Sequence, residues 1–395
     1  MPASLSSTQR TVAILATATF LSGMGVRICD GLLPRIASDF QVTAGQAGLT
    51  VTVFATAYAV LQLAFGPLGD RIGKAPVMFA AVVGCAVFAL AAAFADSFGQ
   101  LLAGRLIWGA AAAGVVPVAM AWIGDTVAIE ERQAMLARLL LGTLSGMTLG
   151  QLAGGLFADS GIGWRGAFAS IAAAYILVVA LMYQRFRATG WRTGATAPSA
   201  APHKQWMAVL RVRWSRVVLG GAFIEGMFLF GPVAFMPTVV HQRWGWSLTA
   251  AAALLSLFAA GGVLYAIAAP HIVRRLGQVR MASAGGWLMG LGYLAWLLTP
   301  VPWLSGPIAL VVGFGTYLYH NTLQTHATQM APAARATAVS MFAFVLFLSQ
   351  AVGAALAGLA FDHLGAEWML LPPAVILPLA GMAFARSLRR HAAAA

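Results

Sequence analysis

The chain alternates between long apolar runs and short polar breaks. Apolar runs occupy residues 11–34, 47–66, 75–96, 98–122, 137–158, 164–184, 216–240, 248–270, 281–299, 306–329, 336–360 and 368–386. Each reaches or approaches the ~20 residues that a helix needs to cross a hydrocarbon core about 30 Å thick. None alternates with period two, as the strands of a membrane barrel would. Lipid offers no partner for backbone N–H and C=O groups, so an apolar run of this length is expected to span as a helix. The pattern predicts an all-α membrane protein with twelve transmembrane helices.

One polar break is longer than the rest. At about 185–215 the sequence RFRATGWRTGATAPSAAPHKQW is basic and rich in Ala, Pro and Thr, and it lacks a spanning run. It divides the chain into an N-terminal six-helix bundle (1–184), a linker (185–215) and a C-terminal six-helix bundle (216–395). The two halves resemble each other. Residues 131–159 align without a gap on 334–362 at an offset of 203, pairing Arg132 with Arg335, Gly150 with Gly353, Gly155 with Gly358 and Asp159 with Asp362. Residues 66–74 align on 270–278 at an offset of 204, pairing Arg71 with Arg275 and Gly73 with Gly277. Six spans separate equivalent helices, so they run in the same direction. The repeat is therefore parallel, and the bundles are expected to be pseudo-symmetric about the membrane normal.

Composition agrees with this picture: 60% of residues are hydrophobic and 9% charged, against about 25% charged in soluble domains. The formal charge of +13 would suit a polyanion-binding protein, but its placement argues against nucleic acid. With the N-terminus in the cytoplasm, Arg10, Arg71, Lys74, Arg132, Arg138, the basic residues from Arg185 to Arg216, Arg274, Arg275, Arg280, Arg335, Arg386, Arg389 and Arg390 all fall inside. Only Arg35, Arg165 and Arg243 fall outside, and Arg27 and Arg105 lie within spans. This asymmetry predicts a multi-pass protein of a bacterial-type inner membrane with both termini and the linker cytoplasmic. The polar first ten residues precede a long span, so that span is expected to be retained and not cleaved as a signal. Cys29 and Cys85 both fall in apolar runs and suggest no disulfide framework.

Four segments carry recognisable patterns. After the second span stands Gly66-Pro67-Leu68-Gly69-Asp70-Arg71-Ile72-Gly73-Lys74. Its glycines suit a tight turn, and Asp70 is placed to cap the next helix or pair with a basic residue on another helix of the bundle. In span 5, Gly146, Gly150, Gly154 and Gly155 surround Gln151; small residues four apart let helices approach closely. Span 4 carries Arg105-Leu-Ile-Trp108-Gly109, and span 1 carries Asp30-Gly-Leu-Leu-Pro34. These segments resemble the motifs of the major facilitator superfamily, most closely its twelve-helix drug/proton antiporters. The loop matches G-x-L-(A/S/G)-D-R-x-G-(R/K), a cluster that in the family latches the cytoplasmic gate. The span-5 glycines match the antiporter signature G-x-x-x-G-P-x-x-G-G, with Gln151 in place of proline. Span 4 matches R-x-x-Q-G with Trp108 in place of glutamine. Taken without the resemblance, the loop is an ordinary turn with positive-inside charges and the glycines are general helix packing.

Ionisable groups inside spans are costly and point to function. Asp30 and Arg105 both sit ~6–10 Å below the outer surface at 1.5 Å per residue, so they meet if spans 1 and 4 are neighbours, as the resemblance implies. Asp30 alternatively pairs with Arg27, one turn earlier on its own helix. Glu225 lies roughly 14 Å into span 7, near the midplane. Span 10 is unusually polar, with His320 at a similar depth and Asn321, Gln324 and Thr328 below; His320, Gln324 and Thr328 share one helical face. Asp30, Arg105 and Glu225 are thus the expected proton-coupling groups. Arg27, Trp108, Glu225, His320, Asn321 and Gln324 are the expected substrate contacts, with a purely structural polar network as the alternative.

The expected function is a proton-coupled secondary transporter exporting a small amphipathic or organic compound by alternating access. The alternatives are a proton symporter importing a metabolite and a non-transporting membrane sensor. No nucleotide-binding G-x-x-x-x-G-K-(S/T) run occurs, the seven histidines have no metal-ligand spacing and no nucleophile motif stands out. The reading therefore carries no enzyme activity, cofactor or metal; its partners are a small-molecule substrate, protons and lipid, with the chain acting as a monomer.

Overall fold

The computed structural model describes residues 7–191 and 202–394 of the chain. It is helical throughout, with no strand among the described residues. Among the described residues ten helices are long and apolar enough to cross a membrane. We label them α1 (Thr8–Gly31), α2 (Ala44–Ile72), α3 (Lys74–Ala93), α4 (Phe98–Thr126), α5 (Glu130–Asp159), α6 (Gly163–Ala188), α7 (Arg213–Trp244), the continuous stretch Leu248–Leu298, α11 (Thr337–Leu364) and α12 (Ala366–Ala393). The 51-residue stretch is two spans, because Gly277 inside it has φ 66° and ψ 166° and turns the chain; we call them α8 (248–276) and α9 (278–298). The remaining span, α10 (Ser305–Ala327), is long enough at 23 residues, but its second half, TYLYHNTLQTHA, is too polar to register as a membrane run. The twelve expected helices are all present.

Local chemistry sets several boundaries. Ser97 Oγ accepts from Gln100 N at 3.2 Å while Gln100 Oε1 accepts from Asp96 N at 2.8 Å, a reciprocal cap that starts α4. Gly245, with φ 68°, ends α7 in the left-handed conformation that only glycine adopts freely. The helix of α6 runs on to Thr189, and Pro202–Arg211 forms a further ten-residue helix. Hydropathy detects neither, since both extensions are basic and polar; the middle of the linker, 192–201, lies outside the described residues.

The helices form two compact units, 1–35 with 53–199 and 36–52 with 200–395. Residues 36–52 belong to the second unit because the start of α2 is held by α11: Asp362 Oδ1 accepts from Gly45 N at 2.8 Å, and Thr43 Oγ1 donates to Asp362 Oδ2. A carboxylate there satisfies free N–H groups at the helix start and complements its dipole.

Within the first unit α1 and α5 meet backbone to backbone. A Cβ on Gly142 would lie 2.6 Å from the Ala16 carbonyl, one on Gly150 would lie 2.7 Å from Met24 Cα, and those on Gly146 and Gly154 would strike the carbonyls of Phe20 and Ile28. Four glycines spaced by four thus face four backbone sites spaced by four. The second unit repeats the contact at the offset seen in the sequence. A Cβ on Gly23 would lie 3.0 Å from Met147 N, and one on Gly226 would lie 3.0 Å from Gln350 N. Likewise a Cβ on Gly353 would stand 2.7 Å from Met227 Cα, the distance found for Gly150 and Met24. At the offset of 204, Gly109 rests on Phe54 as Gly313 rests on Phe258, and Gly73 (φ 107°) turns the chain as Gly277 does. The surface left over is apolar: Ile267 and Phe94 are each 72% exposed. A face of this kind is lipid-facing.

A side chain added at a ladder glycine has nowhere to go. Gly146→Val is expected to destabilise the protein by ~1–3 kcal/mol or more, the usual cost of overpacking, read as a lowered unfolding temperature in detergent. Gly66, by contrast, has open space where a Cβ would stand, with no other group within 4 Å, so Gly66→Ala should leave the unfolding temperature unchanged or slightly raised.

Candidate functional site

Each unit buries one cluster of ionisable groups. In the first, α1 closes with a 3-10 turn at Ile28–Gly31. That winding stacks residues three apart on one face and brings Arg27 Nη1 to 2.9 Å from Asp30 Oδ2. Asp30 is fully buried. Arg105, also fully buried, donates from Nη1 to the Gly25 carbonyl at 3.0 Å. Its guanidinium carbon lies 4.1 Å from the Phe54 ring centroid and 4.9 Å from that of Trp108. Aromatic faces stabilise a dehydrated cation by ~2 kcal/mol. Spans 1 and 4 are therefore neighbours as expected, but the residue that hydrogen-bonds the Asp30 carboxylate is Arg27 on the same helix. Trp108 packs edge-on between Phe54 and Phe168, at 5.8 and 5.6 Å, with no exposed surface; in this structure it walls Arg105.

In the second unit, His320 Nδ1 lies 3.1 and 3.0 Å from the two carboxylate oxygens of Glu225. Glu225 is fully buried, and the His320 side chain is 20% exposed. The imidazole thus stands between the carboxylate and the open side of α10, where Gln324 and Thr328 are exposed on the same face. Phe342 of α11 packs 5.7 Å from the imidazole. Asn321 points elsewhere and donates to Tyr265 Oη at 2.7 Å on α8. Glu225 ends the regular part of α7. A π-helical turn follows at Gly226–Phe230, then Pro232 and Pro237. Proline provides no N–H, and Tyr293 of α9 donates to the Leu229 carbonyl at 2.7 Å in this region. Nothing in the spacing of Tyr265 or Tyr293 marked them; each is an aromatic in an apolar run, and only the packing of α8 and α9 against α10 and α7 gives its hydroxyl a partner.

The loop motif is built differently from the sequence expectation. Gly66 and Gly69 lie within α2, which stays helical to Ile72, so Gly73 alone makes the turn. Lys74, mostly buried, bridges Asp70 Oδ1 at 3.4 Å and Asp125 at the end of α4 in a shorter contact. Asp70, in the last turn of α2, therefore pairs with Lys74 at the start of α3, and Lys74 carries the link on to α4. Arg71 is exposed. The glycines of the span-5 motif line the α1 contact, Gly154 and Gly155 both abutting Gly31. Among the described residues no group of three or more His, Cys, Asp or Glu is placed to hold a metal ion.

The family model described as Major Facilitator Superfamily matches residues 15–354. The chain belongs to the major facilitator superfamily. It is accordingly a multi-pass membrane transporter, of a family and fold that are not those of enzymes. Its relatives include the class C tetracycline resistance protein of Escherichia coli, 25% identical over 79% of each chain. The chloramphenicol resistance protein of Streptomyces lividans is 27% identical over 90% of this chain and 91% of that one. Among solved structures, the D-xylose-proton symporter superposes with a TM-score of 0.78 over 96% of this chain and 97% of that one, at 14% identity. That likeness shows the shared transporter fold.

Removing one member of a buried ion pair strands its partner. Arg27→Met is expected to lower stability by about 3–5 kcal/mol. Adding Asp30→Leu to it should recover most of that loss, measured by thermal unfolding in detergent. A double variant as unstable as the single one would place the Asp30 charge under the control of Arg105 instead.

Proposed function

We propose that this transporter exports a small amphipathic organic compound in exchange for protons, by alternating access, with Glu225 and His320 as the point where proton and substrate compete. The observation that carries the reading is the buried Glu225 carboxylate held across both oxygens by a partly exposed imidazole. A carboxylate in a dry site needs a proton, a cation or hydrogen bonds to be tolerated. His320 supplies that partner. An arriving proton or substrate group replaces it, and the exchange changes which arrangement of α7 and α10 is favoured. The broken geometry of α7 beside Glu225 gives it a place to bend.

Asp30, balanced between Arg27 and Arg105, is the second proton-coupling candidate, and Arg27, Trp108, Asn321 and Gln324 extend the proposed substrate surface. Export is favoured over import by the names of the two relatives, both resistance proteins, and by the span-5 glycines. The alternative, a proton symporter importing a metabolite, is supported by Gln151 standing where the antiporter signature has proline. The Asp70–Lys74–Asp125 cluster is the proposed gate at the end of α2 and α4. We take residues 1–184 and 216–395 as the two functional halves, joined by 185–215, with both termini cytoplasmic and the monomer as the working unit.

Reconstituted in liposomes under an imposed pH gradient, Glu225→Gln should flatten the pH dependence of flux. Glu225→Gln and His320→Ala should be non-additive by roughly 0.5–3 kcal/mol in a double-mutant cycle on transport. Additive effects with the wild-type pH profile kept in both single variants would leave Glu225 as packing support and move coupling to Asp30. For orientation, a cysteine introduced at Trp303, exposed in the α9–α10 connection, should react with an impermeant reagent from outside, and one at Ser199 should not. Asp70→Asn should reduce transport while membrane expression stays near wild type; unchanged kinetics would remove the gate assignment.

A further inference from the structure

The charges at the linker ends of the two units are balanced differently. In the first unit four acids stand at that end: Lys74 contacts Asp70 and Asp125, and Glu130 and Glu131 open α5 ahead of Arg132. The second unit holds four acids: Asp39, just before the α2 start that Asp362 holds, and Glu225, Asp362 and Glu367 in residues 200–395. Glu225 is buried in mid-span, and Asp362 and Glu367 flank the turn between α11 and α12, at the opposite end. The linker end of this unit therefore carries Arg211, Arg213 and Arg216 around the start of α7, and Arg274, Arg275 and Arg280 around the α8–α9 turn, with no Asp or Glu of the unit among them. All six are exposed, as are the arginines in the last turns of α12.

Beside the first three lies the helix Pro202–Arg211. Its Val209 is buried, and Thr337 Oγ1 of α11 donates to Gln205 Oε1 at 2.6 Å, which pins the helix to the unit. Its other side exposes apolar surface among the arginines, with Met207 at 50% and Leu210 also exposed, and Val212 directly after the helix is exposed as well. An apolar face mixed with arginine, on a helix at the end of membrane spans, suits an interface between acyl chains and charged headgroups. A soluble acidic protein would satisfy the charges but leave the apolar side chains in water.

We propose that this end of the second unit is a binding surface for anionic phospholipid headgroups, seated on Arg211, Arg213 and Arg216, with Met207, Leu210 and Val212 entering the acyl region. The phosphates supply the negative charge that the unit's own carboxylates do not.

The test is binding of a fluorescent phosphatidylglycerol analogue to the full-length protein in neutral detergent, with the phosphatidylcholine analogue as reference. Wild type should prefer phosphatidylglycerol, and 0.5 M salt should weaken the preference. Replacing Arg211, Arg213 and Arg216 together by Gln should reduce it on the order of 100-fold, about fivefold per arginine near a charged surface. Replacing the same three by Lys should retain most of it, which separates lost charge from lost fold. Arg132→Gln with Arg138→Gln in the first unit should leave it unchanged. No preference in wild type, an equal preference in the Gln variant, or full competition by inorganic phosphate at the same concentration would each overturn the proposal.

Discussion

Helices in lipid gain nothing from hiding apolar side chains from one another, because the solvent is as apolar as they are. What holds them is van der Waals contact between backbones, and that contact requires the Cβ to be missing. The ladder of Gly142, Gly146, Gly150 and Gly154 against residues 16, 20, 24 and 28 meets this requirement along four turns. Gly226 and Gly353 meet it again between α7 and α11. The rest of the molecule depends on these seams. They set α1 and α7 at a fixed depth beside their partners, and α1 and α7 are the helices that carry Asp30 and Glu225.

Those two acids show what the seams allow. Beside the glycine contacts α1 and α7 are locally irregular, α1 closing in a 3-10 turn at Asp30 and α7 passing into a π-turn directly after Glu225. In both places the departure from ideal helix sits at the ionisable group. The tighter winding stacks Arg27 over Asp30, and the wider one is followed by two prolines, with Tyr293 taking the Leu229 carbonyl.

The two units share an architecture but not a chemistry. Contacts made by glycines recur at offsets of 203 and 204, whereas the ionisable clusters do not: Asp30 corresponds to Val233, and Glu225 to Ser22. The packing is constrained at every turn by backbone geometry and so stays alike in both copies. The ionisable side chains are not part of those backbone contacts, so the two copies are free to differ there. The same divergence separates the linker ends, acid-balanced in one unit and basic in the other.

Much of this was legible in the sequence, and for a physical reason. Span number, the internal repeat and the choice of Glu225, His320, Asp30 and Arg105 follow from costs that a bilayer imposes on each residue separately, namely apolar length, unpaired charge and small-residue spacing. Pairing is a different matter. Whether Asp30 met Arg105 or Arg27 depended on a turn of 3-10 helix that composition does not reveal, and the structure chose Arg27. Whether Gly66 made the loop depended on how far α2 stays helical, and it stays helical past it. The bridge from Lys74 to Asp125, the hydroxyl of Tyr293 on Leu229 and the partition of residues 36–52 with the second unit join positions far apart in the chain. Nothing local marks such residues, because the free energy that selects them arises only when separate helices are brought into contact.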